Sequence, residues 1–204
     1  DDSQKGNYIK ANYLRAGQLI SGGAWSSAIP YLKAAGFYYP RTNRFNQLSR
    51  YWLAEANYNS GNFAEAGRIW EDLYNTSALR GMQESALLTY NIGYAFYSDK
   101  KYPQAARWFD LYAASKDEFN REDALLRRAD CDFAMHSYRE AIKYYQRVLD
   151  EFGEPDKLYP VYQQALAYGL SGQNKTKINV LLAVKKASPD APLYPEAMYE
   201  LGRA

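Results

Sequence analysis

Few side chains in this sequence could carry out chemistry, and their spacing argues against it. Cys131 is the one cysteine and His136 the one histidine. A lone thiol forms no internal disulfide, and with no second histidine or thiolate at ligand spacing a zinc site is not expected. Cys131 falls inside a helical pattern two residues after the small Ala129, at a register that faces a partner helix, so it is expected to be buried and inert. Asp132 and His136 stand four apart and are expected to form a surface hydrogen-bonded pair. Asp130 and Asp132 point to different sides of a helix and cannot act together as acid and base. No phosphate-cradling glycine loop, nucleophile elbow or cysteine pair occurs. The expectation is a non-enzyme that carries neither metal nor cofactor.

Tyrosine is what the chain has instead, 21 of 204 residues, alongside alanine at helical spacings. Large rings set against small partners are the means by which many helices pack closely, and they prompt a search for repeats. An aromatic is followed three residues later by alanine and four later by a bulky residue: Trp25, Ala28, Leu32, then Phe63, Ala66, Trp70, then Tyr102, Ala105, Phe109, then Tyr138, Ala141, Tyr145. Asn174, Lys177 and Leu181 hold the same register weakly. Successive leading residues are 38, 39, 36 and 36 apart. Nine residues before each leader stands a small residue, Ala16, Ala54, Gly93, Ala129 and Ala165, and Gly202 opens a sixth copy.

Each unit reads as two helices around a short polar turn, at 21–24, 60–62, 98–101, 135–137 and 171–173. Units close at 36–40, 75–81, 152–155 and 188–192, where glycine or proline stops the second helix. The spacing predicts helices over 8–21, 25–36, 47–60, 63–74, 84–98, 102–115, 122–135, 138–152, 158–171, 174–187 and from 195. Each hairpin keeps one uncovered apolar face, which only a neighbouring hairpin can bury.

The sequence resembles the tetratricopeptide repeat family. Segment 47–74 carries Leu53, Ala54, Asn57, Gly61, Phe63, Ala66 and Trp70, and segment 86–115 carries Gly93, Phe96, Tyr102, Ala105 and Phe109, all at the family's positions. The resemblance implies an all-α, right-handed superhelical solenoid of helix-turn-helix hairpins. It is expected to form one domain over 1–204, with units at about 9–46, 47–85, 86–121, 122–157 and 158–194 and a partial unit at 195–204. The intervals exceed the family's period of about 34 residues, and such long repeats resemble those of bacterial envelope proteins, which implies the bacterial periplasm or cell envelope rather than the cytoplasm. The fifth unit departs from the pattern, so its second helix is expected to pack loosely or lie differently. Nothing caps the end at Ala204, and the start at Asp1 reads as a processed or excised boundary; the expectation is a piece of a longer chain, or an array whose last helix is closed by a self-contact or partner.

In this family ligands meet the first helices three residues before the small residue, one after it and three further on. Those registers hold Tyr13, Tyr51, Tyr90, Leu126, Tyr162 and Tyr199, then Gly17, Glu55, Tyr94, Asp130, Leu166 and Arg203, then Ile20, Tyr58, Tyr97, Phe133 and Gly169. The resemblance thus implies a groove lined by Tyr13, Tyr51, Glu55, Tyr58, Tyr90, Tyr94, Tyr97, Asp130, Tyr162 and Tyr199. For any one ring, core and groove are both open, since tyrosine suits either; Tyr90 and Tyr94, one turn apart on one face, favour exposure. Family members that bind acidic peptide termini use lysine, asparagine and arginine on these helices, and Tyr13, Gly17 and Glu55 depart from that.

The function implied is a non-catalytic scaffold holding a peptide or protein segment in its groove. A rigid spacer within a larger envelope protein and a glycan-binding module are the alternatives. The net charge of +2 is too small to hold a phosphate backbone. By unit the charge alternates, +4, −2, +1, −3 and +2, with no single-sign stripe. Lys175, Lys177, Lys185 and Lys186 cluster on a second helix, expected to be outer and solvated, away from the rings. Nucleic acid is therefore not an expected partner, and no run of about 18 apolar residues suggests membrane insertion. Oligomeric state is open.

Overall fold

The structure is a computed structural model that describes residues 2–37, 44–115, 119–153, 158–185 and 192–203. Among them every regular element is helical. Eleven α-helices follow in order: α1 (Asp2–Ser21), α2 (Trp25–Phe37), α3 (Arg44–Asn59), α4 (Phe63–Asn75), α5 (Leu88–Ser98), α6 (Tyr102–Ala113), α7 (Arg121–Ala134), α8 (Tyr138–Phe152), α9 (Leu158–Leu170), α10 (Asn174–Lys185) and α11 (Tyr194–Gly202). A 3-10 turn, Gln83–Ser85, stands where the expected helix over 84–98 was to begin, and α5 starts only at Leu88. The closing motifs at 36–40, 152–155 and 188–192 lie partly outside the described residues.

The helix boundaries follow from one recurring turn. After α3 the amide of Gly61 donates to Tyr58 O and that of Asn62 to Asn57 O. This pair of bonds satisfies the last carbonyls of a helix and requires a left-handed residue between. The same pair closes α1, α4, α5, α7 and α9. Gly23, Gly61 and Gly172 take the left-handed slot with φ of 73°, 82° and 81°, but Lys100 and His136 take it with φ of 59° and 60°. His136 thus lies in the turn expected at 135–137.

Two compact bodies form, Asp1–Lys101 and Tyr102–Ala204. In each, consecutive helices pack on one another, α1 through α5 in the first and α6 through α11 in the second. Their cores are the repeat registers. Ala16, Ala28, Leu32 and Ala56 form a buried cluster roofed by Trp25, Ile29 and Trp52. Ala129, Ala141 and Tyr145 form another, and Ala165, Leu181, Val184 and Ala197 a third. Along α4, Ala66, Ile69, Trp70 and Leu73 are buried, the three-and-four spacing of one helical stripe. Gly93 and Ala105 are buried as well. Gly202 is exposed, so the sixth copy uses Ala197 for burial instead.

The fifth unit does not pack loosely. In the second and fourth units the leader packs on the residue four after the small one: Phe63 on Tyr58 with ring centroids 5.2 Å apart, Tyr138 on Phe133 at 5.5 Å. In the fifth unit both partners lack rings, as Gly169 and Asn174. Lys177, at the alanine register, fills the space: a Cβ on Gly169 would lie 2.9 Å from Lys177 Cδ. Its ammonium then donates to Glu200 Oε2 of α11 at 2.7 Å, with only 12% of the side chain exposed. Lys177 is therefore a packed residue and not one of a solvated outer cluster. Lys175 is exposed, while the side chains of Lys185 and Lys186 lie outside the described residues.

Candidate functional site

Helix α3 is flanked by two clefts in the first body. One, of about 210 Å³, is lined by Tyr13, Gly17, Ile20 and Ser21 of α1, Leu32 of α2 and Trp52 of α3. The other, of about 240 Å³, is lined by Glu55 and Tyr58 of α3, Trp70 of α4, and Tyr90, Asn91 and Tyr94 of α5. The second gathers four of the expected groove residues. Tyr90 and Tyr94 meet edge to face at 4.9 Å, and Tyr97 follows Tyr94 at 6.5 Å. All three are half-buried. Tyr58 tilts over Trp70 at 6.0 Å, and its hydroxyl lies 3.1 Å from Ser98 Oγ.

Tyr51 holds the same register as Tyr90 but is a core ring, 7% exposed. It packs against Trp52 at 5.6 Å and Trp70 at 6.3 Å, and its hydroxyl accepts from Asn91 Nδ2 at 3.1 Å. Burial pushes its phenol up to about 12, helped by the Glu55 charge. An indole on each side is what covers it, so it is not available as an exposed anchor.

Glu55 is half-buried. Asn59 Nδ2, one turn on, donates to its Oε1 at 3.2 Å. Burial pushes its carboxyl above the usual range, against which the Asn59 hydrogen bond works. No lysine or arginine pairs with it among the described residues.

The second body treats its first-helix residues differently. Asp130 is buried and accepts from Tyr145 Oη at 2.7 Å, Tyr159 Oη at 3.1 Å and Arg127 at 2.5 Å. A carboxylate saturated in this way is a structural hub and not a groove contact. Tyr162 is half-buried against the cluster of Ala165, Leu181 and Ala197. Tyr199 is 66% exposed, with the Arg203 guanidinium 5.6 Å from its ring centroid. Leu126 packs on the Ala129 cluster.

Asp132 is buried and pairs with Arg128, not with His136. Arg128 also donates to Asp110 of α6 at 2.8 Å and stacks 4.4 Å from the Tyr144 ring centroid of α8, so the arginine that pairs Asp132 within α7 also ties α7 to its neighbours. His136 Nδ1 lies 2.7 Å from Tyr138 Oη instead. Cys131 is fully buried, and burial pushes its thiol up to about 12. Among the described residues no three His, Cys, Asp or Glu side chains are placed to hold a metal, and no helix is long and apolar enough to cross a membrane.

Trp52, Trp70 and Asn91 are among the cleft residues outside the expected set. Trp52 neighbours Tyr51 in sequence and was hidden by a register that counts only one helix face. Trp70 had been assigned wholly to packing, yet it floors the second cleft while 1% exposed. Asn91 carried no signal, because its value lies in reaching Tyr51 on a different helix.

Comparison with known proteins agrees with this architecture. Residues 123–154, the fourth unit, match the tetratricopeptide repeat family. No curated protein matches the sequence. Among solved structures, YrrB, described as a TPR protein with an unusual peptide-binding site, is similar with a TM-score of 0.70 and 17% identity, covering 92% of this chain and 90% of that one. MamA from Desulfovibrio magneticus RS-1 is similar with a TM-score of 0.67 and 15% identity, covering 96% of each chain. The TPR-like repeats of a kinesin light chain from Podosopora anserina are similar with a TM-score of 0.65 and 15% identity over 96% of this chain and 97% of that one. The chain thus carries a tetratricopeptide repeat at 123–154 and has the all-α fold of tetratricopeptide-repeat solenoids.

Proposed function

We propose that the protein is a non-catalytic interaction scaffold that holds a peptide segment of another protein against α3 and α5, in the cleft walled by Tyr58, Tyr90 and Tyr94. The observation that carries this reading is the disposition of those rings. They are half-buried and line an open cleft of about 240 Å³, and Tyr90 and Tyr94 lean on each other edge to face. Rigid aromatic side chains of this kind give large contact area at low entropic cost and are the usual anchors of interfaces. Catalysis would need an activated nucleophile or a matched acid and base, whereas the buried carboxylates of α7 are tied to Arg127 and Arg128 and the thiol of Cys131 is sealed. The peptide-binding site in the description of YrrB, similar in fold, points the same way.

The double variant Y90A/Y94A tests the reading. A random peptide library displayed on phage is selected against the full chain, and the affinity of the selected peptides is measured for both proteins by calorimetry. Loss of two anchors is expected to cost roughly 2–4 kcal/mol, a fall of about 30- to 1,000-fold. The helical circular dichroism should be retained. A variant that binds the same peptides unchanged would place the binding surface elsewhere.

A further inference from the structure

We infer that the cleft between α3 and α5 receives a positively charged side chain, lysine or arginine, of the bound segment, with the Glu55 carboxylate as its counter-charge and the rings of Tyr58, Tyr90 and Tyr94 as its walls. This rests on the peptide-binding reading above and says what chemistry the peptide must carry.

Four other shielded acids of this chain each meet a base. Asp130 meets Arg127, Asp132 meets Arg128, Asp72 meets Arg50, and Glu200 meets both Lys177 and Arg203. Each of these four is given an opposite charge, which offsets the cost of shielding it. Glu55 receives only an amide hydrogen from Asn59, although it lies half-buried at the wall of a cleft. Burial already pushes its carboxyl upward, a penalty that an incoming cation would reverse.

The walls select the same sign. Aromatic faces carry negative charge density and attract ammonium and guanidinium groups, most strongly where water is excluded. The Glu84 charge acts on Tyr51, the core ring that packs on Trp70 of this cleft. Arg44 acts on Tyr13, at the other cleft. An acidic segment would bring like charge to Glu55, and an apolar one would leave that carboxylate desolvated without compensation. The long aliphatic stem of lysine or arginine suits the rings, while its head reaches the carboxylate.

The test uses the full chain and the phage-displayed peptide library. Selected peptides should share a lysine or arginine at one position. Replacing that residue in a synthetic peptide by norleucine, which keeps the stem and removes the charge, should weaken binding at least tenfold. With the E55Q variant, which keeps the Asn59 hydrogen bond, the same replacement should matter little, and added salt should weaken wild type more than the variant. The norleucine comparison needs no variant, so it stands even where E55Q folds poorly. Peptides selected without a basic residue, or bound equally by wild type and E55Q, overturn the inference; if Y90A/Y94A still abolishes their binding, the groove reading survives. A library from which nothing is retained overturns both.

Discussion

Gly169→Ala, an exchange that ordinarily stabilises a helix, should destabilise this protein. In a helix interior, alanine is favoured over glycine by up to about 1 kcal/mol, because glycine loses more backbone entropy on folding. Gly169 lies inside α9, and its new Cβ would sit 2.9 Å from Lys177 Cδ, 3.6 Å from Cε and 3.7 Å from Nζ. The stem cannot swing aside freely, since Nζ is held by Glu200 at 2.7 Å. Overpacking by one methyl costs roughly 1–3 kcal/mol, or the lysine yields and gives up a charged hydrogen bond of roughly 1.5–3 kcal/mol. Against the propensity gain, a net loss of about 1 kcal/mol is expected, a fall in Tm of about 2–4 °C. K177A restores alanine at its register and opens that space, so G169A/K177A should be more stable than the two single changes predict, by about 1–2 kcal/mol. Gly17→Ala is the control: its Cβ meets nothing within 4 Å, and the change should stabilise. Thermal melts by circular dichroism would read all four proteins. If G169A raises Tm as Gly17→Ala does and its effect adds to that of K177A, the lysine stem does not occupy the space assigned to it. The pair also carries a pH signature. The Lys177 hydrogen bond holds the Glu200 carboxyl below its usual range. Its stabilisation is present above the unfolded carboxylate pKa of about 4.3 and is lost as pH falls through the lower folded value. The advantage of wild type over K177M should therefore shrink in acid.

The turns give a second set of outcomes. Lys100→Gly and His136→Gly should each stabilise by up to about 1 kcal/mol, and Gly61→Ala should cost about 1–2 kcal/mol, because a side chain in the left-handed region is strained; urea titrations would show the opposite order if the turns relax freely. Gly93→Leu should cost roughly 1–3 kcal/mol by overpacking a buried register position, and an unchanged melting temperature would contradict the register. With its thiol pushed up to about 12, Cys131 holds roughly one part in 10,000 as thiolate at pH 8. Ellman's reagent should therefore find no thiol in the native chain and one after denaturation; fast labelling of folded protein would show that α7 opens.

Sequence patterns report what a residue does within its own hairpin far better than what a neighbouring helix does to it. The alternation of small residue, ring and bulky residue located most helices nearly to their ends, because close packing of two helices leaves few choices at those registers, though α1 begins at Asp2 rather than 8 and α5 at Leu88 rather than 84. It could not separate Tyr51 from Tyr90, which hold one register and carry one side chain. Their difference lies outside the pattern: Trp52 and Trp70 close over Tyr51, and Asn91 reaches across to bind its hydroxyl. Asp130 was misplaced for the same reason, since Tyr145 and Tyr159 that saturate it come from two other helices.

The fifth unit shows what a departure from a repeat means physically. Loss of the leading aromatic and of the register alanine suggested weakened packing when each position was weighed alone. The same unit also lacks the bulky residue that the leader would have covered, and Gly169 in its place leaves room for one long side chain. Lysine can fill that room only if its charge finds a partner, and Glu200 on α11 supplies one. Three departures that look like decay one by one are thus a single alternative solution. Glu55 marks where such reasoning turns from stability to function. Lys177 and Glu200 answer each other within the chain, whereas the carboxylate in the ring-lined cleft is answered by an amide alone, and the charge that completes it is the one expected to arrive on a bound segment.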